Sequence, residues 1–191
     1  MFAVMMDLFA ERKGKAIKGE KTPAHFQYAD TLMDWFSGAK IIHMMRDPRG
    51  IFISEVHRRQ REAQSFPYRQ IKHVPALMKA VILLQTTLTW TSSARSASKN
   101  LANYPGRYTV QSFEDLVRRP DEQVRGLCAF LGVPFQSQML EQEVVSMGFQ
   151  EKQSGFDAGA ADRWKKHIGS FATRWFHFWF GRQLRSFGYD A

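Results

Sequence analysis

Apolar positions recur along this chain at two periods, and the switches between them lay out the elements. Phe2, Met5, Met6 and Phe9 fall near helical spacing and predict an amphipathic helix over 2–12, ending before Gly14. A basic loop over 13–19 follows. Residues 23–36 read as a helix with Tyr28, Leu32 and Trp35/Phe36 on one face. The period then changes. Ile41-Ile42-His43-Met44-Met45 is short, apolar, β-branched at its start, and bounded by Gly38 and by Asp47-Pro48. It predicts a buried strand over 39–45. Helical spacing returns over 50–59 and ends in a charged run, His57 to Arg61, suited to a helix C-terminus. Residues 62–74 read as irregular. Leu77, Val81, Leu84, Leu88 and Trp90 predict a long helix over 76–102. Pro105-Gly106 is a turn, and 107–111 a second strand. Asp121 is placed to cap a helix through Leu131, with Gly132 at its C′ position. Residues 137–147 read as helical, 148–161 as a mobile loop with little apolar periodicity, and 171–187 as an aromatic-rich helix. No internal repeat is present.

Two strands separated by helices predict an α/β fold, a three-layer α/β/α domain with a parallel sheet. The 191 residues fit one domain, 1–191. Arg46 then sits where a strand ends and a helix begins. Ligands of open α/β sheets bind outside the carboxyl ends of the strands, and a helix N-terminus there offers N–H groups to an anion. Arg46 and Arg49 add positive charge, and Ser54 adds a hydroxyl on the following helix. Strand, Arg, turn, helix and Ser together predict a phosphate site.

Charge agrees with this. There are 27 basic and 18 acidic residues, a net charge of +9. Such a balance suits nucleic acid, a membrane surface or an anionic nucleotide, without choosing among them. Sixteen Phe and five Trp are expected mostly in the core. The single Cys128, in an apolar helical run, excludes an internal disulfide framework and reads as a buried structural thiol. No run of 18 apolar residues exists, and residues 1–15 lack the marks of a signal peptide. No membrane partner is expected, and the compartment expected is the cytoplasm. The glycines of 13–19 lack the order of a P-loop.

The stretch Arg46-Asp47-Pro48-Arg49, with Ser54 eight residues after Arg46 and Gly19-Glu20-Lys21-Thr22-Pro23 upstream, resembles the PAPS-dependent sulfotransferase superfamily. Two later segments extend the resemblance: Ser112-Phe113-Glu114-Asp115-Leu116 before Pro120, and Phe130-Leu131-Gly132-Val133-Pro134. It covers roughly 14–189. It implies the sulfotransferase fold, akin to P-loop NTPases, and transfer of a sulfuryl group from PAPS to a hydroxyl or amine of a small-molecule or carbohydrate acceptor. PAP would be the product, and no metal is implied.

The resemblance also assigns residues. Arg46 and Ser54 fall where the family holds the donor's 3′-phosphate; the plainer alternative is an ion pair from Arg46 to Asp47 or Glu114. Arg49 is a further cation of that turn, though turn arginines usually face solvent. Phe113 falls where the family often stacks an aromatic near adenine, and a core aromatic is the alternative. Arg163 stands near the family's late cationic element, where Asp157-Ala158-Gly159 replaces the usual Arg-Lys-Gly. Lys21 falls beside the transferred group, where an ammonium would stabilise developing charge; otherwise it is a solvated loop lysine. Glu20 and His25 are the candidates to take the acceptor's proton.

The family opens with a strand and a Gly/Ser/Thr-rich loop around the 5′-phosphosulfate, and neither stands in this sequence. The resemblance thus implies a chain that starts after that loop, with weak or no transfer of its own. It also implies an open edge along 41–45, a predicted route to self-association. Two other readings remain at this stage. One is a non-catalytic half-domain that binds PAP or a partner. The other is a basic nucleic-acid-binding domain, disfavoured because the basic residues scatter and the aromatics follow core periodicity.

Overall fold

The computed structural model describes residues 2–62, 66–141, 143–144 and 153–189. Two strands form its centre. β1 (Ile41–Met45) pairs in parallel with β2 (Tyr108–Ser112), in a register that sets Ile41 opposite Tyr108 and Met45 opposite Ser112. Parallel strands require a crossover, and here it is long. It runs through helix α1 (Pro48–Arg61), a short helix α2 (Tyr68–Ile71) and helix α3 (Pro75–Asn103). After β2 come α4 (Phe113–Arg118) and α5 (Pro120–Leu131), and helix α6 (Ser170–Ser186) closes the chain. Before β1 lie a helix over Phe2–Arg12, a 3₁₀ helix over Pro23–Tyr28 and a helix over Ala29–Trp35. Among the described residues the outer edge of β1 carries no strand.

Side chains alternate along β1, so Ile41, His43 and Met45 share a face. That face meets α3: His43 Nε2 lies 2.8 Å from Ser93 Oγ. The opposite face meets α5, where Gln111 Nε2 donates to Gln123 Oε1 at 2.9 Å. Helices therefore stand on both faces of the sheet, the three layers expected, with Met44 on the α5 side left exposed. The main core lies where α1, α3 and α6 meet, with Met45, Phe52, Ile82, Trp90, Phe176 and Leu184 all buried. Trp90 packs against Phe180 at 4.6 Å and donates its indole N–H to the Arg46 carbonyl at 3.0 Å. That bond anchors the end of β1 to the long helix.

His43 is the one titratable group on the buried face of β1. Its ring satisfies both nitrogens: Nδ1 meets the Tyr108 hydroxyl and Nε2 meets Ser93 Oγ, which donates onward to Met45 Sδ at 3.3 Å. One proton direction satisfies the whole chain: Tyr108 donates to Nδ1, Nε2–H donates to Ser93, and Ser93 donates to sulfur. That pattern needs a neutral imidazole. Burial lowers its pKa to about 4, which agrees.

Several expectations require correction. α5 begins at Pro120, and its N-cap is Arg119 with no side-chain cap; Asp121 instead pairs with Arg125 one turn on. Pro120 at the first helical position was the better signal. Gly132 does adopt the left-handed conformation, at φ 77°. Residues 137–147 are not one helix: a 3₁₀ turn covers Ser137–Leu140, and Glu143–Val144 pair with Gln153–Ser154. Residues 145–152, the end of that expected helix and the start of the expected loop, lie outside the described residues. The core face of α3 is formed by Met78, Ile82, Thr86, Trp90, Ala94 and Ala97, whereas Leu77, Leu84 and Leu88 are exposed. The aromatics are also less uniformly internal than composition suggested, since Trp35, Phe171, Phe178 and Trp179 are exposed. Cys128 is buried, as expected.

Candidate functional site

Both strands run directly into capped helices. Asp47 caps α1, its Oδ1 accepting from the Arg49 N–H at 2.8 Å, and Pro48 occupies the first turn. Ser112 caps α4, its hydroxyl accepting from the Asp115 N–H at 3.1 Å. Because Met45 and Ser112 are register partners, the next residues of each chain also meet. Arg46 lays its guanidinium over the Phe113 ring, 4.3 Å from its centre. Asp47 donates its N–H to Glu114 Oε1 at 3.0 Å. The paired strand ends thus set a cation, an aromatic ring and two carboxylates side by side.

Arg46 is half-buried, yet no carboxylate lies within ion-pairing distance of it among the described residues. Its Nη2 reaches the Ala160 carbonyl only at 3.5 Å, and its Nε is buried without a partner. Burial pushes the guanidinium's pKa down; Glu114 and Asp47 oppose that, while the nearby Arg163 reinforces it. Gly50 lies beside the side chain. A Cβ there would stand 3.2 Å from Trp164, tighter than most such contacts, and 3.4 Å from Arg46 Nε, at the edge of ordinary contact. Ser54 lies one turn beyond Gly50 on the same helical face, and it is exposed. A helical side chain leans toward the turn before its own Cα, which for Ser54 is the turn of Gly50.

The other cations are differently placed. Arg49 is buried and held by Asp47, with Nη2 2.7 Å from Oδ2, and it stacks on Trp164 at 4.5 Å. Its charge is answered within the fold rather than turned to solvent. Arg163 pairs with Asp157, at the place where the sequence had lost its basic pair. The start of α1 also differs from expectation: Asp47 takes the Arg49 N–H that an anion would otherwise meet. An anion at this end would therefore meet side chains more than backbone.

The group at 20–25 stands apart. Glu20 Oε2 lies 2.6 Å from His25 Nδ1, and Glu20 also accepts from Thr22 Oγ1. Lys21 is exposed and meets no carboxylate among the described residues. No contact among the described residues joins this trio to the Arg46 group.

The sequence named Glu114 only as an alternative partner of Arg46, and it held no signal for Tyr189. Glu114, buried, accepts from the Asp47 N–H and weakly from the Ser112 hydroxyl at 3.4 Å; burial raises its pKa. The Tyr189 hydroxyl is buried beside them without a well-formed hydrogen bond, and burial raises its pKa as well. Glu114 and Tyr189 line, with Asp47, Arg49 and Arg118, a cavity of about 60 Å³. That is room for one or two waters and far too little for a nucleotide. A ligand of that size would lie outside it.

Comparison with known proteins agrees with this architecture. The sequence matches the model of the sulfotransferase family over residues 1–137. The sulfotransferase domain from the Synechococcus PCC 7002 olefin synthase is 22% identical and superposes with a TM-score of 0.66, covering 98% of this chain and 65% of that one. The sulfotransferase domain from the curacin biosynthetic pathway is 21% identical, with a TM-score of 0.53 over 88% of this chain and 59% of that one. The chain thus spans less than two thirds of the length of these domains. No curated protein matches it closely enough to be called a relative. A strand that ends in Arg46-Asp47-Pro48, a fold shared with two sulfotransferase domains and a family match over most of its length lead to one conclusion: this chain belongs to the sulfotransferase family.

Proposed function

We propose that the chain takes part in sulfuryl transfer from PAPS, and that Arg46 and Ser54 hold the donor's 3′-phosphate. The observation that carries this reading is the state of Arg46. It is a half-buried guanidinium with an unpartnered Nε, beside a glycine, with no carboxylate in direct ion-pair contact among the described residues. A phosphate suits each of these features. It would bring a counter-charge into direct contact and accept the free N–H, in a charge-assisted bond roughly twice as strong as a neutral one. Ser54 would add a hydroxyl from the same helical face, and Arg163 a second cation nearby. Phe113 would then act through Arg46, holding the guanidinium flat beneath the phosphate.

When bound, the donor carries the sulfuryl group on its 5′-phosphate for transfer to a hydroxyl or amine of a small-molecule or carbohydrate acceptor. We assign Lys21 to the charge that develops there, since an unpaired ammonium is free to answer it. Glu20 and His25 already touch, so a proton taken by His25 would sit beside a carboxylate. Calorimetric titration with PAP and with adenosine 5′-phosphate, which lacks the 3′-phosphate, tests the reading. PAP should bind about 10- to 100-fold more tightly, the worth of one or two bonds to a charged group. Equal affinities would remove the 3′-phosphate from the site.

A further inference from the structure

α3 and α6 pack side by side, joined where the Trp175 indole N–H donates to Thr87 Oγ1 at 2.9 Å. Their outward faces share an unusual composition. α3 and α6 together hold 46 residues and not one Asp or Glu, against six Lys or Arg. On α3, Leu77, Leu84 and Leu88 form one exposed stripe, with Leu88 63% accessible. On α6, Phe171, Arg174, Phe178, Arg182 and Arg185 recur at helical spacing along the face turned away from buried Phe176, Phe180 and Leu184. Phe178 is 81% accessible and Trp179, beside it, 54%. Among the described residues, Lys79, Arg174, Arg182 and Arg185 meet no carboxylate within ion-pairing distance. Beside Phe171 opens a groove of about 370 Å³ with an apolar floor of Ile53, Val56 and Leu83 and a rim of His57, Lys79 and His167; among the described residues no carboxylate lines it.

We propose that the outer face of α3 and α6 is a docking surface for an anionic lipid membrane. Exposed Phe, Trp and Leu beside unpaired arginines are what an interfacial helix needs: rings and leucines enter the acyl boundary while cations meet the headgroups. No helix of the described residues is long and apolar enough to cross a membrane. The contact is therefore a lying one, which the absence of a spanning run in the sequence does not exclude. Two other occupants fit less well. A second copy would bring one uncompensated cationic face against another, which repels. Single-stranded nucleic acid would use the rings and arginines, but it has no use for the leucine stripe or the apolar groove.

Co-sedimentation with vesicles tests this on the intact chain. Vesicles of phosphatidylcholine with one quarter phosphatidylglycerol should bind it, and pure phosphatidylcholine should bind it much less. Arg174→Gln/Arg182→Gln/Arg185→Gln should lower the partition coefficient by roughly 100-fold, at about fivefold for each cation near an anionic surface. Phe171→Ser/Phe178→Ser, both at exposed positions, should lower it as well, and circular dichroism should show each variant folded. Brominated lipid should quench tryptophan fluorescence in the wild type and not in the phenylalanine variant. Binding indifferent to lipid charge, or no binding, would overturn the proposal. So would a dimer on light scattering that the phenylalanine substitutions dissociate, or tighter binding to single-stranded oligonucleotides than to the anionic vesicles.

Discussion

The end of β1 and the segment before it carry the two halves of the proposed chemistry, and they are built in opposite ways. Around Arg46 almost every group is held by a neighbour of distant sequence: Asp47 by Glu114, the Arg46 carbonyl by Trp90, and the guanidinium by Phe113. Around Lys21 the contacts are local and exposed, Glu20 to Thr22 and Glu20 to His25. Binding a fixed phosphate benefits from a site organised before the ligand arrives, since little ordering remains to be done. A group that meets the reacting atoms works only when positioned, and nothing among the described contacts positions Lys21 in the ligand-free chain. The difference suggests an order of events, with the donor's 3′ end gripped first and the 19–25 segment ordered afterwards.

That comparison breaks most severely at Asp47. Its carboxylate caps α1 and answers the buried Arg49. Asp47→Ala leaves a buried guanidinium uncompensated and should destabilise the fold by about 3 to 5 kcal/mol in urea unfolding. A loss below ~1 kcal/mol would mean that the strand end is held by other contacts.

His43 tests where the two regions join, for it stacks on Phe26 of the 3₁₀ helix just past His25, at 5.7 Å. Its folded pKa, about 4, lies below the ordinary 6.5, so the unfolded chain binds its proton first. Stability from this group is therefore full above pH 6.5 and is lost as pH falls toward 4, by about 3 kcal/mol in all. His43→Gln should flatten that part of the profile. Urea unfolding of both proteins between pH 7 and 4 isolates the effect, because the carboxylates are common to both. Parallel profiles would show that His43 is not buried neutral.

The smallest effect is expected in the 19–25 segment. Glu20→Ala removes only part-exposed local contacts and should change stability by less than about 0.5 kcal/mol. A loss above ~1.5 kcal/mol would show the segment to be as firmly built as the strand end.

Much of the strand end was legible in sequence because its signals are local. A β-branched run, then Asp-Pro, marks strand and capped helix within ten residues, and Ser54 keeps helical register with Gly50. The pairing of Arg46 with Phe113 was not legible, since it follows from a strand register set across more than sixty residues. Tyr189 reaches Glu114 through the packing of the whole C-terminal helix. On α3 the sequence carries two apolar stripes, and periodicity cannot say which one is inward. Leu77, Leu84 and Leu88 match a helical period as well as the true core positions do. The exposed arginines between the α6 aromatics, with no acid on either helix, were the sign of an outward face.

The central claim is that Arg46 binds the donor while Lys21 does not. Thermal unfolding of wild type, Arg46→Ala and Lys21→Ala, each with and without PAP, tests it most directly. At about 100 times its dissociation constant, PAP should stabilise the wild type by roughly 2.7 kcal/mol, a rise in Tm of roughly 5 to 10 °C. Lys21→Ala should keep that rise and Arg46→Ala should lose most of it. An undiminished rise in Arg46→Ala, or its loss in Lys21→Ala alone, would contradict the account.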